Sequence, residues 1–489
     1  MKKPFASSML KKSQPELEPQ LPIKLDSTSN GEYEPRPLTP EIQLVKTLAM
    51  ERAEQNARRL GLSRRQFLMT ASGTATTLLC MNQVSGRSGN VGGFFDVNPT
   101  MELDLAAATS QLTGNEFIFD IQTHHVNPNR ASSSFVQFFP YADCGESNPV
   151  ECFDVEHYIK EVFMDSDTTI AVLSAVPAAP GNDPLTADEA AATRALVEMT
   201  FGSPRLQIHG LVMPSFPPLQ GQLDGMQRLA EELHIKAWKT YTHVGPNGQG
   251  WYLDDPTIGV PFIEQARQTG VKLICTHKGL AGNSRFGTCR DVGVVAKMFP
   301  DVTFIIYHSG YEPPATRERE YNPRSTLGID TLIKSLQDNG LPPNSNVYAE
   351  IGSTWRQVMT NPTAAAHVIG KLLKFVGEDR LLWGTDSIWY GSPQDQIDMF
   401  RAFQISDQFQ ERFEYPALTP ELKAKVFGLS AAVPYGINPP EAMKQLRQDP
   451  IHQRKIEYQN NPQPSLRTYG PKTRREFLNF FHLNGGMPG

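Results

Sequence analysis

Val271-Lys272-Leu273-Ile274-Cys275-Thr276-His277-Lys278-Gly279 is a short apolar run that breaks off abruptly into polar residues. Its surroundings decide how it is read. Upstream, Asp255-Pro256 opens a helical pattern that carries Phe262, Ile263 and Ala266 and stops at Gly270, the usual order of start and stop signals. Downstream, residues 291–298 form a second helical pattern closed by Phe299-Pro300-Asp301. A new run, Val302-Thr303-Phe304-Ile305-Ile306-Tyr307, then ends in His308-Ser309-Gly310. Strand, helix, strand with polar residues at the strand ends is the grammar of a parallel α/β sheet.

Working outward, the same unit recurs. Strands are expected at 117–121, 169–174, 206–213, 235–239, 271–276, 302–307, 347–351 and 381–384. Their starts lie roughly 30–50 residues apart, room for one helix and its loops each time. Eight such units favour a TIM-type (β/α)8 barrel over an open doubly wound sheet. No Gly-rich phosphate loop follows any strand, which weakens a nucleotide-binding reading. The Pro-rich stretches 128–152, 177–184 and 311–324 are expected as long loops over the barrel mouth.

Composition narrows the class without choosing a function. The 489 residues carry a net charge of −6, and no long basic block occurs, so nucleic acid is not the expected partner. No stretch reaches the ~18 apolar residues of a spanning helix. Five cysteines in this length make no disulfide scaffold, and their spacing makes no CxxC zinc site. Cys144 and Cys152 are close enough in sequence to pair in an oxidising compartment; two free thiols are the other reading.

In a barrel of this type the active site lies at the C-terminal strand ends. The first strand ends Asp120-Ile121-Gln122-Thr123-His124-His125, the fifth at His277, the sixth at His308 and the eighth at Gly384-Thr385-Asp386. The chain has only eleven His, so histidines at three strand ends and an Asp at a fourth point to metal chemistry. Residues two apart on a strand face the same way, so Gln122 and His124 can converge while His125 faces elsewhere.

This order of features resembles the amidohydrolase superfamily, specifically its amidohydrolase-related branch of metal-dependent hydrolases and decarboxylases. The resemblance runs over about residues 115–437 and includes Leu418-Thr419-Pro420-Glu421-Leu422 through Tyr435-Gly436 as a closing helix, with Ser430 where an Asn is usual. It implies a divalent metal, zinc first with manganese or iron as alternatives, held by Gln122, His124, His277 and Asp386. His308 and Asp386 become the catalytic pair, and Lys239 and Trp389 candidate substrate contacts. The family's first strand carries His-x-His, whereas Gln122 stands at the first position here. Either Gln122 ligates, His125 turns in, or the site is weak or lost.

The implied reaction is attack of a metal-bound water on an amide, ester or lactone carbonyl of a small organic substrate. Non-oxidative decarboxylation of an aromatic or enoic acid is the alternative, with Lys239, Lys278 or Arg285 receiving the carboxylate. A non-catalytic ligand-binding barrel is a further one. Lys239 could also serve as a modified bridging ligand. Glu350 is expected behind a ligand histidine, or in a salt bridge. Trp355, Trp389 and Tyr390 could wall a planar substrate or simply pack. His209, His234, His367 and His452 are read as structural, and His243 as a residue that could reach the pocket.

Ahead of the barrel, residues 1 to about 38 read as disordered, and Thr39-Pro40 starts a helix. Ser63-Arg64-Arg65-Gln66-Phe67-Leu68-Met69 followed by the uncharged run 70–84 resembles a twin-arginine export signal. Thr473-Arg474-Arg475-Glu476-Phe477-Leu478 nearly repeats it without an apolar run and reads as a surface helix. The expected organisation is an N-terminal extension with this signal at 1–100, one barrel at 101–437 and a C-terminal extension at 438–489. Periplasmic or secreted localisation follows, with the export machinery as a partner; cytoplasm is the alternative. A start at Met50 would shorten the leader, and a homo-oligomer is compatible with this plan.

Overall fold

A computed structural model describes residues 20–130, 142, 144–313 and 318–483; for 200, 201 and 480–483 it gives the backbone alone. The expected disorder at 1–19, and parts of two mouth loops (131–141, 143 and 314–317), lie outside the described residues. Eight strands run in chain order as one parallel sheet: β1 Phe119–Thr123, β2 Ile170–Leu173, β3 Leu206–Leu211, β4 Ala237–Tyr241, β5 Leu273–His277, β6 Thr303–Tyr307, β7 Val347–Glu350 and β8 Leu381–Leu382. β8 returns to β1 through Ile121 N–H to the Trp383 carbonyl (3.2 Å) and a parallel bridge between Thr123 and Ser387. The fold is the expected TIM barrel. Each strand lies within a few residues of its expected place, because side chains buried on both faces impose continuous apolar runs.

The interior is a packed core. Phe119, Ile121, Val172, Cys275, Ile305, Tyr307 and Leu382 fill it beneath the strand ends. Helices wrap the outside, among them Gly259–Gln268 and Val292–Met298, which lie where the sequence places them. The Pro439–Leu446 and Pro450–Gln459 helices of the C-terminal extension are fastened to the barrel by Asp449. It meets the Arg205 guanidinium with both carboxylate oxygens (2.5 and 3.0 Å) at the base of β3. Cys144 and Cys152 are joined as a disulfide.

The N-terminal region differs from the expectation over 20–38. Leu21, Ile23 and Leu25 are buried, as are Ser29 and Asn30, so this stretch is an ordered strap across the barrel mouth. Arg356 anchors it by donating to the Lys24 carbonyl (2.6 Å) and the Asp26 carboxylate (2.7 Å). The C-terminal extension meets it there, Ser29 N–H donating to the Pro471 carbonyl (2.8 Å), and joins the barrel where Tyr469 N–H donates to the Trp389 carbonyl (3.1 Å). Composition failed as a guide because polar atoms supplied from elsewhere in the chain satisfy the strap's own polar groups.

Three helices follow: α1 Pro40–Leu60, capped by Thr39, α2 Arg64–Leu68 with a capping box at Ser63, and α3 Ala71–Arg87. The arginine pair therefore opens α2. The uncharged run is a helix with Ala75, Leu78 and Cys80 fully buried, packed against α1. α1 runs unbroken through Met50, so a chain beginning there would lack the strap. Near the C-terminus the repeat at 473–478 opens the helix Arg474–Leu483. No helix among the described residues is long and apolar enough to cross a membrane.

Candidate metal centre

β1 and β8 end side by side and lace together residue by residue. Asp120 accepts from the Thr385 N–H (3.1 Å) and hydroxyl, and burial pushes its carboxyl up to about 7. One alternation further, Gln122 Nε2 donates to Asp386 Oδ1 (2.9 Å). One further again, His124 N–H donates to the Ser387 carbonyl (2.6 Å), which brings His124 Nε2 to 3.0 Å from Asp386 Oδ1. The period-two spacing of 120, 122 and 124 thus turns all three toward β8.

Asp386 is the hub. Its Oδ2 accepts from Ser353 Oγ (2.6 Å) and Asn30 Nδ2 (2.8 Å). Burial alone would raise its pKa, yet the hydrogen bond and charge of His124, with His308 and Ser353, hold it well below the usual carboxylate range. Asp386, His308, Ser309 and Ser353 all have positive φ, between 53° and 60°. Left-handed backbone at non-glycine residues costs energy and gathers where a site demands it.

The imidazoles are set by their outer nitrogens. His124 Nδ1–H donates to the Ser174 carbonyl (2.8 Å), and His308 Nδ1–H to that of Gly352 (2.6 Å). With Nδ1 committed, each ring turns Nε2 to the centre, where His124 meets Asp386 Oδ1 and His308 faces Gln122 Nε2 (3.4 Å); fixing the second nitrogen in this way is how a ligand histidine is held. Glu350, raised to about 8 by burial, holds His308 in place by accepting its backbone N–H (3.0 Å). Burial drives the His308 ring down to about 4 and His277 well below its ordinary value. Both nitrogens of His277 are buried without a hydrogen-bond partner, as is Gln122 Oε1. The His277 ring packs 4.5 Å from His308 and 4.6 Å from His243 between centroids.

Buried, partnerless nitrogens beside an anionic carboxylate fit a divalent cation. His124 meets Asp386, His277 lies beside His308, and the ligand atoms of His277, His308 and Glu32 stand within 4.8 Å of one another. Gln122 is there too, but it presents its nitrogen to Asp386; ligation would need Oε1 turned inward. His125 faces away, 3.0 Å from Thr193 Oγ1. Lys239 is fully buried with its ammonium 3.5 Å from the Tyr307 ring centroid and no hydrogen-bond partner. Burial lowers it to about 8. Lys278 is committed to Asp291 (2.8 Å), and Arg285 is exposed beside the Phe286 ring.

Trp389 stacks on His124 at 5.5 Å and so backs a site residue. Trp355 is core, with Nε1–H donating to the Gln396 carbonyl (3.0 Å), and Tyr390 bonds Ser353 (2.6 Å). Among the remaining histidines, His209 bonds Tyr435 (2.8 Å) inside the barrel. His367 packs against Phe409, Phe413 and Tyr415. His234 is exposed and His452 half-buried.

Sequence reasoning missed Asn30, Glu32, Tyr33 and Ser353. Glu32 Oε1 lies 3.6 Å from His277 Nδ1, and Oε2 lies 3.9 Å from His308 Nε2. Enclosure, with the Asp386 charge adding to it, holds the Glu32 carboxyl well above its usual range. The one local signal was the alternation Leu21, Ile23, Leu25, which marks an extended segment with one buried side.

A family model described as "Amidohydrolase" matches residues 171–437, more than half of the chain. The chain belongs to that family. β1, with Gln122 and His124, precedes the matched span. Among solved structures, similar folds include an uncharacterized TIM-barrel protein from Bordetella bronchiseptica (15% identity, TM-score 0.42, 68% of this chain and 99% of that one). A 2,6-dihydroxybenzoate decarboxylase from Rhizobium is similar at 14% identity and TM-score 0.41, over 66% and 99% of the two chains. A dihydropyrimidinase from Brevibacillus agri is similar at 11% and 0.36, over 66% and 71%. No curated protein matches the chain. As an amidohydrolase-family barrel with a candidate metal-binding group in Glu32, His277 and His308, the chain has the scaffold of an enzyme.

Proposed function

We propose that this amidohydrolase-family chain is a metal-dependent hydrolase acting on an amide, ester or lactone carbonyl of a small organic substrate. The observation that carries the reading is the buried cluster at four strand ends, in which Asp386 meets His124 (3.0 Å) and the rings of His277 and His308 lie side by side (4.5 Å between centroids). His124, His277 and Asp386 would hold the ion. Bound there, a divalent ion supplies Lewis-acid polarisation of a carbonyl and lowers the pKa of a water to about 7. His308, neutral near pH 7 with its Nε2 facing the Gln122 amide (3.4 Å), takes the proton of the attacking water and returns it to the leaving group. Glu350 and the Gly352 carbonyl keep that ring from turning. Asn30 and Ser353 keep Asp386 ionised and aimed.

Decarboxylation on the same centre is the second reading: it would release neutral carbon dioxide and need a proton delivered to the substrate carbon, which His308 could supply. Elemental analysis of protein purified without chelators is expected to find about one divalent ion per chain, and a His277→Ala variant none. With acylated and carboxylated aromatics as substrates, proton release without carbon dioxide is expected. Wild type lacking metal would end the proposal, and carbon dioxide release would turn it to the lyase.

Export belongs to the same proposal with one modification: the arginine-pair segment stays attached. The Cys144–Cys152 disulfide suits an oxidising compartment, and α3 contributes buried side chains to the fold. Fractionation followed by N-terminal sequencing is expected to find periplasmic protein that still includes residue 32. A mature start beyond residue 87 would overturn this.

A further inference from the structure

We propose that Glu32, carried into the barrel mouth by the strap, is a ligand of the same metal centre. The inference rests on the metal-dependent reading above and adds a residue lying outside the barrel. The strap is built to place this side chain. Residues 29–33 form a tight loop: Ser29 Oγ donates to the Tyr33 carbonyl (2.5 Å) and Tyr33 OH to that of Thr28 (2.6 Å). Gly31 at φ 98° makes the turn that other residues resist. Asn30 and Glu32 therefore project together. Asn30 Oδ1 accepts the Glu32 N–H (3.0 Å), while its Nδ2 donates both to Glu32 Oε2 (2.6 Å) and to Asp386 Oδ2 (2.8 Å).

One amide thus bridges two carboxylates. Both can be ionised together in a largely enclosed site only with compensating positive charge beside them. Asn30 brings none, and Lys239 lies against aromatic rings without a hydrogen-bond partner. A divalent cation on both carboxylates would make the centre neutral.

The distances carry the argument further. At 3.6 Å from His277 and 3.9 Å from His308, the Glu32 oxygens face both rings from beyond hydrogen-bond length. Ligand atoms about 2.1 Å from a shared ion stand roughly 3.0–4.2 Å apart. Glu32 and His277 are spaced as two ligands of one ion, with His308 beside them. His124 and Asp386, at 3.0 Å, lie at the near end of the same range. With Gln122 presenting nitrogen, the strap carboxylate is the oxygen ligand that faces His277.

The test uses the full chain, stripped of metal and titrated with zinc against a chromophoric chelator, and separately with cobalt(II), whose visible spectrum reports coordination. Wild type, Glu32→Gln and Glu32→Asp are compared, and thermal unfolding of the metal-free forms confirms that each is folded. Glu32→Gln is expected to weaken zinc binding about 100-fold or more and change the cobalt spectrum, and Glu32→Asp to recover part of both. If wild type binds one zinc and Glu32→Gln binds it equally with an unchanged spectrum, Glu32 is no ligand and the hydrolase reading stands. If wild type binds no zinc, both fall.

Discussion

Asp386→Asn is expected to weaken divalent-metal binding by about 100-fold or more and to reduce turnover to background, while the barrel still folds. The Asp386 carboxylate gathers His124 and Gln122 on one oxygen and Ser353 and Asn30 on the other. An Asn of the same shape fills the space but removes the negative charge. Its amide nitrogen would also face one of these donors, leaving a buried group without an acceptor. Metal content by elemental analysis, with circular dichroism for folding, is the measurement. Full metal occupancy in the variant would place the ion elsewhere.

His308→Asn is expected to act differently. It should lower turnover by about 10²–10⁴-fold, the usual contribution of a positioned acid–base group, equivalent to about 3–5.5 kcal/mol of barrier. Metal content should stay near that of wild type, because His124, His277 and Asp386 remain. The ring is held by the Gly352 carbonyl, and its backbone by Glu350 and Thr354, so it is aimed rather than mobile. The two variants separate the roles: one loses metal and rate together, the other rate alone. Loss of metal in His308→Asn would make it a ligand and leave the proton-transfer role vacant.

The barrel and the polar strand ends were legible for a local reason. A parallel strand buried on both faces needs an unbroken apolar run, and a site at its C-terminal end needs that run to stop in chemistry-bearing residues. His277 after Ile274-Cys275-Thr276 and His308 after Ile305-Ile306-Tyr307 display both. The alternation 120–122–124 could likewise be read in advance, and with it the outward face of His125. The direction of the Gln122 amide could not, since it depends on which donor or acceptor lies across the gap to β8. Nor could the state of Lys278, whose Asp291 partner comes from the start of a neighbouring helix.

The strap was hidden for a related reason. Prolines, serines and acidic residues at 20–38 have the composition of disorder, and the Arg356, Ser353 and Asp386 that order them lie more than three hundred residues away. The run 70–84 shows the same gap from the other side. An apolar, uncharged helix looks identical whether an export machinery reads it or the core of the chain absorbs it, because both uses need only low charge and helix propensity. The sequence by itself therefore determined the barrel, its strand order and the residues at its rim, which depend on short-range pattern. Only the tertiary structure decided that the strap at 20–38 closes over that rim, met by residues 469–471, and that Glu32 and Asn30 join it. Such contacts depend on which distant groups can satisfy a buried charge, and that is a property of the assembled fold.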